Sequence, residues 1–357
     1  MAVSVSLETS SRTSPVAATN GSSRLHQVFS GDANHSANRL RNGPVQPILV
    51  PLWYGCERPG VDQAPALLDA ALRHRWRERE DIELASRLQE SVTVEIPDVP
   101  GALERRDRHD LAFLPAIAVA SARLADEAER AVASGALALT IGGDHAVAAG
   151  SLAGSARAVR RLTGPDGQLG RLGVIWVDTH ADLNTPATSP SGHIHGLPLA
   201  TSLGIGPEEL TSLAGGPPAV AAADVCLVGV RDLDPGEQAV IREHGIWTRT
   251  MEEWDDDGIR EGVLAAIAHL RERGVAAVHL SFDVDVIDPV DLPATGTICP
   301  GGLTSREAAR VLRLIRDADL PLVSADVVEL DPTRDHDDLY LWTTTILIAT
   351  LLGETQR

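Results

Sequence analysis

The sequence predicts an α/β fold, a single-domain three-layer α-β-α architecture with a central, mostly parallel sheet. Short aliphatic runs alternate with amphipathic segments of helical length, which is typical of strands joined by crossover helices. The aliphatic runs are continuous rather than alternating with polar residues, as expected for strands that are covered on both faces. No internal repeat or low-complexity linker divides residues 46–357, so we expect one domain there.

The N-terminal part of this domain contains two predicted strands and three predicted helices. Pro65 suits the first turn of a helix, where its missing amide costs nothing. Gly135 suits the position just after a helix, which often needs a left-handed backbone. The pattern predicts strands at 47–53 and 136–141, and helices from Pro65 onward, over 110–134 and over about 146–162.

The C-terminal part continues the alternation. Thr304 and Glu307 have the spacing of a capping box, which predicts the start of a helix. Gly274 follows another helical pattern and is expected to end it. The pattern predicts strands at 172–177, 224–230, 246–248, 275–282 and 321–328, and helices at 235–244, 258–273, 304–315 and 338–352.

Residues 1–45 differ in composition from the rest of the chain. They are rich in Ser, Ala, Asn, Thr and Arg and show no sustained hydrophobic periodicity, so we expect a disordered extension. Because this stretch is poor in acidic residues and contains arginine, a transit peptide is the alternative. It lacks the apolar h-region of a secretion signal.

The composition excludes several classes of function. The net charge of −19 argues against a general affinity for nucleic acid or an anionic membrane. No apolar segment approaches the roughly 20 residues that span a bilayer. The absence of lysine excludes a Schiff-base lysine and a Walker A phosphate site. Three widely spaced cysteines without a CxxC motif indicate a reducing compartment, so we expect a cytoplasmic protein without a disulfide framework.

Metal-type ligands follow the predicted strands. Asp178, His180 and Asp182 follow strand 172–177 at positions i, i+2 and i+4, which would share one face of an extended chain. Asp283 and Asp285 follow strand 275–282 in the same way. Ionised carboxylates that are packed together at buried strand ends repel one another and are costly to desolvate without a cation. The sequence therefore predicts a two-metal site.

The common position of these residues at strand ends is stronger evidence for a functional site than any one residue. A lone aspartate at a strand end is usually a turn or helix cap, and a lone His145 or His195 is more often a structural histidine. Ligands in open parallel sheets bind beyond the carboxyl ends of the strands, however, and every suggestive cluster lies at such an end. Oxygen and nitrogen donors without thiolate favour Mn²⁺ or a similar divalent ion over structural zinc.

Several segments carry a resemblance to a known family. With them the chain resembles the arginases of the ureohydrolase superfamily, from about residue 47 to its end. Segment 231–237, Arg-Asp-Leu-Asp-Pro-Gly-Glu, is typical of the arginase branch rather than the agmatinase branch. The other segments are Gly-Gly-Asp-His (142–145), Asp-Thr-His-Ala-Asp-Leu-Asn-Thr-Pro (178–186), Ser-Phe-Asp-Val-Asp (281–285), Asp-Pro (288–289) with Pro-Ala-Thr-Gly-Thr (293–297), Gly-Gly-Leu-Thr (301–304) and Asp-Val-Val-Glu (326–329).

The resemblance implies the arginase/deacetylase-like fold, two Mn²⁺ ions per subunit and a homo-oligomer, either a trimer or a hexamer. Asp178 and Asp283 would bridge the ions. One ion would be held by His145, Asp178, Asp182 and Asp283, and the other by Asp178, His180, Asp283 and Asp285.

The resemblance also implies the chemistry. A metal-bridging hydroxide would attack the guanidinium carbon of L-arginine, and the tetrahedral intermediate would collapse to L-ornithine and urea. Asp182 would relay a proton to the departing amine, and His195 would shuttle protons. Glu329 would accept hydrogen bonds from the guanidinium near Thr297. A guanidinium is a poor electrophile, so a strong nucleophile and a carboxylate that fixes its plane are what this reaction needs.

The far end of the substrate would be recognised by Asn184, Ser189, Ser191, His193, Asp234 and Glu237, again by resemblance. Position 193 is a departure, because arginases usually have Asn there. A protonated His193 would hold the α-carboxylate by charge, and a neutral one would donate a single hydrogen bond. The larger imidazole would alternatively reshape the pocket for another guanidino compound, or simply hydrogen-bond the loop.

Three alternatives to L-arginine hydrolysis stay open at this point. The first is the same hydrolysis of a modified arginine, such as N-hydroxy-L-arginine, or of another guanidino acid, and His193 motivates it. The second is a deacetylase-like amidohydrolase on a related scaffold, which would release acetate. The third is a non-catalytic metal-bound regulatory or structural protein. Its sequence would lack ligands or the shuttling histidine, and neither is missing here.

Overall fold

The computed structural model describes residues 43–105, 111, 113–161 and 170–355. Over these residues one sheet of eight parallel strands forms the centre of the fold. The strands are β1 (Val45–Val50), β2 (Val92–Thr93), β3 (Leu137–Gly142), β4 (Leu172–Val177), β5 (Val225–Val230), β6 (Trp247–Thr250), β7 (Ala277–Asp283) and β8 (Leu322–Val328). Their order across the sheet is β2-β1-β3-β8-β7-β4-β5-β6.

Helices connect the strands. They are α1 (Ala64–Glu78), α2 (Ile82–Arg87), α3 (Ala102–Arg105), α4 (Leu114–Ser134), α5 (Ala148–Arg160), α6 (Pro198–Ser202), α7 (Glu208–Thr211), α8 (Pro235–His244), α9 (Met251–Asp257), α10 (Ile259–Arg273), α11 (Ser305–Arg316) and α12 (Leu339–Leu351). In the described part of the chain, no helix combines the length and hydropathy needed to cross a bilayer.

Two hydrophobic layers lie against the sheet, one on each face. Successive strand residues alternate between them: Val174 and Trp176 belong to the layer that includes α4 and α5, whereas Ile175 and Val177 belong to the layer that includes α1, α10, α11 and α12. Both strand faces are therefore covered by helices, which explains why the strands read as continuous aliphatic runs. The predicted three-layer α/β fold is confirmed.

The boundaries differ from the predictions at several ends. β1 was expected over 47–53, but the chain leaves the sheet at Pro51, whose nitrogen has no hydrogen to donate to a ladder. The prediction missed α9, although Thr250 and Glu253 form its capping box. The sheet is entirely parallel rather than mostly parallel. Residues 1–42 and the predicted helix ends at 110 and 162 lie outside the described residues.

The strand order brings the candidate site residues together. The five central strands β3, β8, β7, β4 and β5 are neighbours, and all of them run in the same direction. Their carboxyl ends therefore meet along one edge of the sheet, where ligands of parallel sheets bind. His145, Glu329, Asp283, Asp178 and Arg231 all lie at these ends.

Candidate metal centre and active site

Two neighbouring strands end in the same local turn. Asp178 directly follows β4, and Asp283 is the last residue of β7. The Oδ1 of each aspartate accepts a hydrogen bond from the amide two residues later, at 2.7 Å from His180 N and 2.8 Å from Asp285 N. Each turn thus uses one carboxylate oxygen to fix the backbone and keeps the other for the interior of the site.

The expected i, i+2, i+4 arrangement on one extended strand is wrong. The chain bends at 178–180, and Asp182 has a φ of 51°, in the left-handed region. The carbonyl oxygen of Asp182 accepts hydrogen bonds from Leu199 N at 3.1 Å and Ala200 N at 3.2 Å, which hold this turn. Asp178, His180 and Asp182 therefore come together through loop geometry rather than strand periodicity.

The first ligand group surrounds His145. Its Nδ1 lies 3.0 Å from an oxygen of Asp182 and 3.1 Å from oxygens of Asp178 and Asp283. All four side chains are buried. The imidazole stacks on Trp176, with ring centroids 4.3 Å apart. These contacts fix the direction in which Nδ1 points.

The second ligand group surrounds His180. Its Nδ1 lies 3.2 Å from Asp285 Oδ2 and 3.5 Å from Asp178 Oδ1. Asp178 thus faces both groups, with Oδ2 toward His145 and Oδ1 toward His180. Thr297 Oγ1 donates a hydrogen bond to Asp285 Oδ2 at 2.9 Å.

The buried carboxylates of both groups repel one another and favour a bound cation. Burial raises the pKa of Asp283 well above its ordinary value, and the charges of Asp285 and Asp178 raise it further. Burial and the charge of Asp178 also raise the pKa of Asp182 to about 6. Burial alone would lower the pKa of His145, but the facing carboxylates raise it well above its ordinary value. A cation between these groups would remove the repulsion.

The donor set fits divalent cations. His145 Nδ1 makes no well-oriented hydrogen bond within the described residues, although three carboxylate oxygens lie close to it. His145 Nε2 lies 2.8 Å from Ser281 Oγ. When Nε2 carries the proton and donates it to Ser281, the lone pair of Nδ1 points into the group, as a metal ligand requires. Nitrogen and carboxylate donors without thiolates suit Mn²⁺ and similar ions.

A cavity of about 190 Å³ opens onto both groups. It brings together metal-type ligands and residues from the loops after β4, β5 and β7. Asp178, His193 and Glu329 are predicted site residues outside its lining. The predicted residues that line it are His145, His180, Asp182, Asn184, Ser189, Ser191, His195, Asp234, Glu237, Asp283, Asp285 and Thr297.

Glu329 lies behind one wall of this cavity and supports two histidines. Its Oε1 accepts a hydrogen bond from His145 N at 2.8 Å and lies 3.0 Å from His195 Nδ1. Burial would lower the pKa of His195, but the charge of Glu329 raises it to about 9. Burial would raise the pKa of Glu329, but His195 holds it below its ordinary value. We therefore describe the two as an imidazolium–carboxylate pair.

The second oxygen of Glu329 has no hydrogen-bond partner among the described residues, although it is buried. Gly296 lies on that side, where an added Cβ would be 3.8 Å from Oε2. Glu329 also has a φ of 67°, a left-handed conformation that is strained for this residue. A buried carboxylate oxygen without a donor is costly, so a ligand that donates a hydrogen bond is expected here.

The opposite end of the cavity is built on the start of α8. Asp234 and Glu237 form a capping box there, and Glu237 Oε2 accepts from Asp234 N at 2.9 Å. Asn184 Nδ2 donates to Asp234 Oδ2 at 2.8 Å. Burial and the charge of Asp182 raise the pKa of Glu237 to about 7. This end therefore presents one amide and two carboxyl groups to a ligand.

The loop that carries Ser189, Ser191 and His193 holds itself together. Ser189 Oγ accepts from Gly192 N at 2.9 Å, and Ser191 Oγ accepts from His193 N at 3.1 Å. His193 does not line the cavity, and its Nε2 lies 3.9 Å from an oxygen of the buried Glu57. This geometry gives no direct support to the expected contact between His193 and the substrate, which stays a prediction.

Three residues near the ligands were not singled out as site residues from the sequence. Asp232 lines the cavity. Trp176 Nε1 donates to Asp178 Oδ2 at 3.0 Å, and Ser281 faces His145. Trp176 and Ser281 lie at strand ends, two positions before Asp178 and Asp283. That spacing places each on the same strand face as a ligand, and it is the signal that could have identified them.

Comparison with known proteins assigns this arrangement to a family. A family model described as the Arginase family matches residues 48–355. The arginase of Bacillus caldovelox is 40% identical over 315 residues, which cover 87% of this chain and 98% of that protein. The arginase of Brevibacillus brevis is 37% identical over 305 residues, which cover 85% and 96%.

Solved structures give the same result. The arginase from Bacillus caldovelox superimposes with a TM-score of 0.78 at 37% sequence identity, covering 88% of this chain and 100% of that one. The arginase from Bacillus subtilis superimposes with a TM-score of 0.75 at 32% identity and the same coverage. The family match over residues 48–355 includes every residue of the candidate site.

Proposed function

Since the chain belongs to the arginase family and is an arginase-type ureohydrolase, we propose that it hydrolyses L-arginine to L-ornithine and urea with two Mn²⁺ ions per subunit. One observation carries this proposal: two His/Asp groups with buried carboxylates share Asp178 and open onto a single small cavity. When bound, the two ions would lower the pKa of water enough to supply the nucleophile at neutral pH.

The protein's own residues would hold the ions. His145, Asp178, Asp182 and Asp283 surround the first position, and Asp178, His180 and Asp285 surround the second. We propose that Asp283 also reaches the second ion and bridges both. The shared carboxylates would keep the ions close together, as two-metal hydrolysis requires.

Glu329 would orient the guanidinium. Its Oε2 is buried without a donor, and a guanidinium N–H would satisfy it with a charge-assisted hydrogen bond. Thr297, which lines the cavity and donates to Asp285, would limit the room available to the guanidinium on that side. A carboxylate at this point fixes the guanidinium plane relative to the attacking oxygen.

Two groups would move protons. Asp182 lines the cavity beside His145, so it would accept a proton from the nucleophilic water and pass it to the departing amine. His195 lines the cavity and is kept protonated by Glu329, with a pKa of about 9. It would therefore supply a proton to the product amine and exchange it with solvent.

The other end of the cavity would recognise the amino acid head group. Asn184, Ser189 and Ser191 offer donors for the α-carboxylate, and Asp234 and Glu237 offer acceptors for the α-ammonium. Because His193 does not line the cavity and its Nε2 lies near Glu57, the modified-arginine alternative loses the observation that motivated it. The proposed substrate is therefore unmodified L-arginine.

The test is a substrate panel with Mn²⁺-loaded protein and urea as the readout. L-Arginine should release urea, and agmatine, which lacks the α-carboxylate, should have a kcat/KM at least about 100-fold lower. N-Hydroxy-L-arginine and guanidinobutyrate complete the panel, and an acetylated lysine tests for deacetylation. The matched control is Asp178→Asn, which keeps the side-chain shape. Urea release no faster than from this variant would refute the proposal.

We also propose that the protein works in the cytoplasm as a homo-oligomer, a trimer or a hexamer, like the family it resembles. Its three cysteines are free, as expected in a reducing compartment. Light scattering on the purified protein measures the mass, and a monomer at micromolar concentration would contradict this part of the proposal. Elemental analysis of protein purified without added metal tests whether manganese is the bound ion.

A further inference from the structure

The side chain of Arg231 binds backbone rather than carboxylates. Its guanidinium donates to four carbonyl oxygens: Asp285 at 3.0 Å, Val286 at 3.1 Å, Cys299 at 2.7 Å and Pro300 at 3.3 Å. The first two belong to the turn after β7, and the last two belong to the loop that follows Thr297. The planar guanidinium group of Arg231 therefore bridges two separate segments of the site.

The surroundings of Arg231 leave room for this guanidinium group. A Cβ added to Gly302 would lie 2.6 Å from Asp288 N and Val286 O and 2.7 Å from Arg231 Nη2, so the absence of a side chain at Gly302 makes room for the neighbouring backbone and for the guanidinium. The backbone amide of Arg231 donates to Thr179 O at 2.9 Å, and Thr179 Oγ1 donates to Asp285 O at 2.7 Å. The carbonyl of Asp285 is thus held from two sides.

These contacts concern the second ligand group and not the first. Asp285 lies 3.2 Å from His180 Nδ1 and accepts from Thr297 at 2.9 Å. His145, in contrast, is held by Glu329 through its amide and by Ser281 through its ring. The two groups therefore depend on different supporting residues, although they share Asp178.

We infer that Arg231 is a positioning residue. It aligns the His180–Asp285 metal position with the end of the cavity that would hold the guanidinium of the substrate. The inference rests on the proposed metal site. A guanidinium suits this role because its five N–H donors lie in one rigid plane, whereas a lysine ammonium is a single point of charge. Losing these bonds would free the carbonyl groups of Cys299 and Pro300 and remove one of the two donors to the Asp285 carbonyl. Hydrogen bonds between 286–288 and 301–303 would still join the two segments, so the loss would loosen the direction of Asp285 without separating the segments.

The test measures metal binding without turnover. Chelator-treated protein is titrated with Mn²⁺, and free Mn²⁺ is followed by electron paramagnetic resonance, which resolves two successive affinities. Arg231→Met should weaken the second ion by about 10- to 100-fold and leave the first within about threefold, as for other residues that orient metal ligands. Arg231→Lys should give an intermediate loss, and it replaces the methionine variant if the latter does not fold.

Arg160→Met is the matched control. Arg160 also donates to several backbone carbonyls, those of Ala214, Pro217 and Pro218, but far from the site. It should lower the Tm without changing either affinity. Equal weakening of both ions, unchanged affinities in the Arg231 variants, or a wild-type protein that binds fewer than two ions would overturn the inference. Wild-type protein that binds two ions without releasing urea would instead refute the proposed function alone.

Discussion

The pair formed by His195 and Glu329 allows a quantitative test of the site. Their side chains lie 3.0 Å apart, and both are largely buried. Burial alone would lower the pKa of His195, so its pKa of about 9 depends chiefly on the charge and hydrogen bond of Glu329, with smaller contributions from Asp182 and Asp144. Replacing that charge with the isosteric amide in Glu329→Gln should therefore bring the pKa of His195 down toward 6.5 or below.

The same shift predicts how stability changes with pH. In the unfolded chain a histidine has a pKa of about 6.5. Because the folded pKa is higher, folding takes up a proton, and the stabilisation is fully present below pH 6.5 and lost as pH rises through 9. The interval corresponds to about 3 kcal/mol. Wild type should lose about that much stability relative to His195→Asn between pH 6.5 and 9.5.

Metal-free protein is the right sample for both measurements, because bound Mn²⁺ would broaden the histidine resonances. Two-dimensional NMR follows the imidazole signals from pH 5 to 10, and the spectrum of His195→Asn identifies the His195 signal by its absence. Urea unfolding at each pH gives the free energies of unfolding for wild type and His195→Asn. The difference between the two proteins removes the contributions of titrating groups that do not interact with His195.

A His195 signal that titrates near 6.5 in wild type would refute the reasoning, as would a stability difference that does not change between pH 6 and 10. An equal pKa of His195 in wild type and Glu329→Gln would show that Glu329 is not the cause. As a control, Asp335→Asn removes a carboxylate that caps α12 rather than one that faces His195, and it should leave the His195 pKa unchanged.

Three further predictions follow from single residues. Asp283→Ala should reduce bound metal below one ion per chain and lower kcat by at least about 1000-fold, because it removes the carboxylate that is proposed to hold both ions. Elemental analysis showing two retained ions would contradict this. His193→Asn should change KM for L-arginine by less than about threefold, because the ring faces Glu57; a tenfold change would place His193 at the substrate. Glu354→Ala leaves the buried Arg75 without its partner and should destabilise the protein by about 3–5 kcal/mol, measured by urea unfolding, while kcat/KM stays within twofold.

The sequence predicts the fold and the location of the site well, for a physical reason. A strand covered on both faces is mostly apolar, so β4 and β7 stand out as apolar runs that end at Asp178 and Asp283. Crossover helices make the strands parallel, and parallel strands bring their carboxyl ends to one edge. These local signals determine where the ligands lie without any knowledge of the loops.

Other features depend on contacts between distant parts of the chain. The direction of the His193 ring is associated with Glu57, which lies in the loop after β1 and has a φ of 56°. The role of Arg231 depends on carbonyl groups in two later loops, and a sequence shows only that an arginine is present. Backbone acceptors have no residue type, so no pattern of letters identifies them.

The two left-handed residues at the site show what the sheet contributes to the proposed chemistry. Asp182 and Glu329, the proposed proton relay and the proposed guanidinium acceptor, have φ values of 51° and 67°. Such conformations cost of order 1–3 kcal/mol each and persist only where the surroundings enforce them. Glu329 N donates to Gly143 O at 2.8 Å, and Asp182 O accepts from two amides of the segment that begins α6. Backbone hydrogen bonds therefore hold both residues in their strained backbone conformations. The orientation of the two carboxylates is set before any ligand binds.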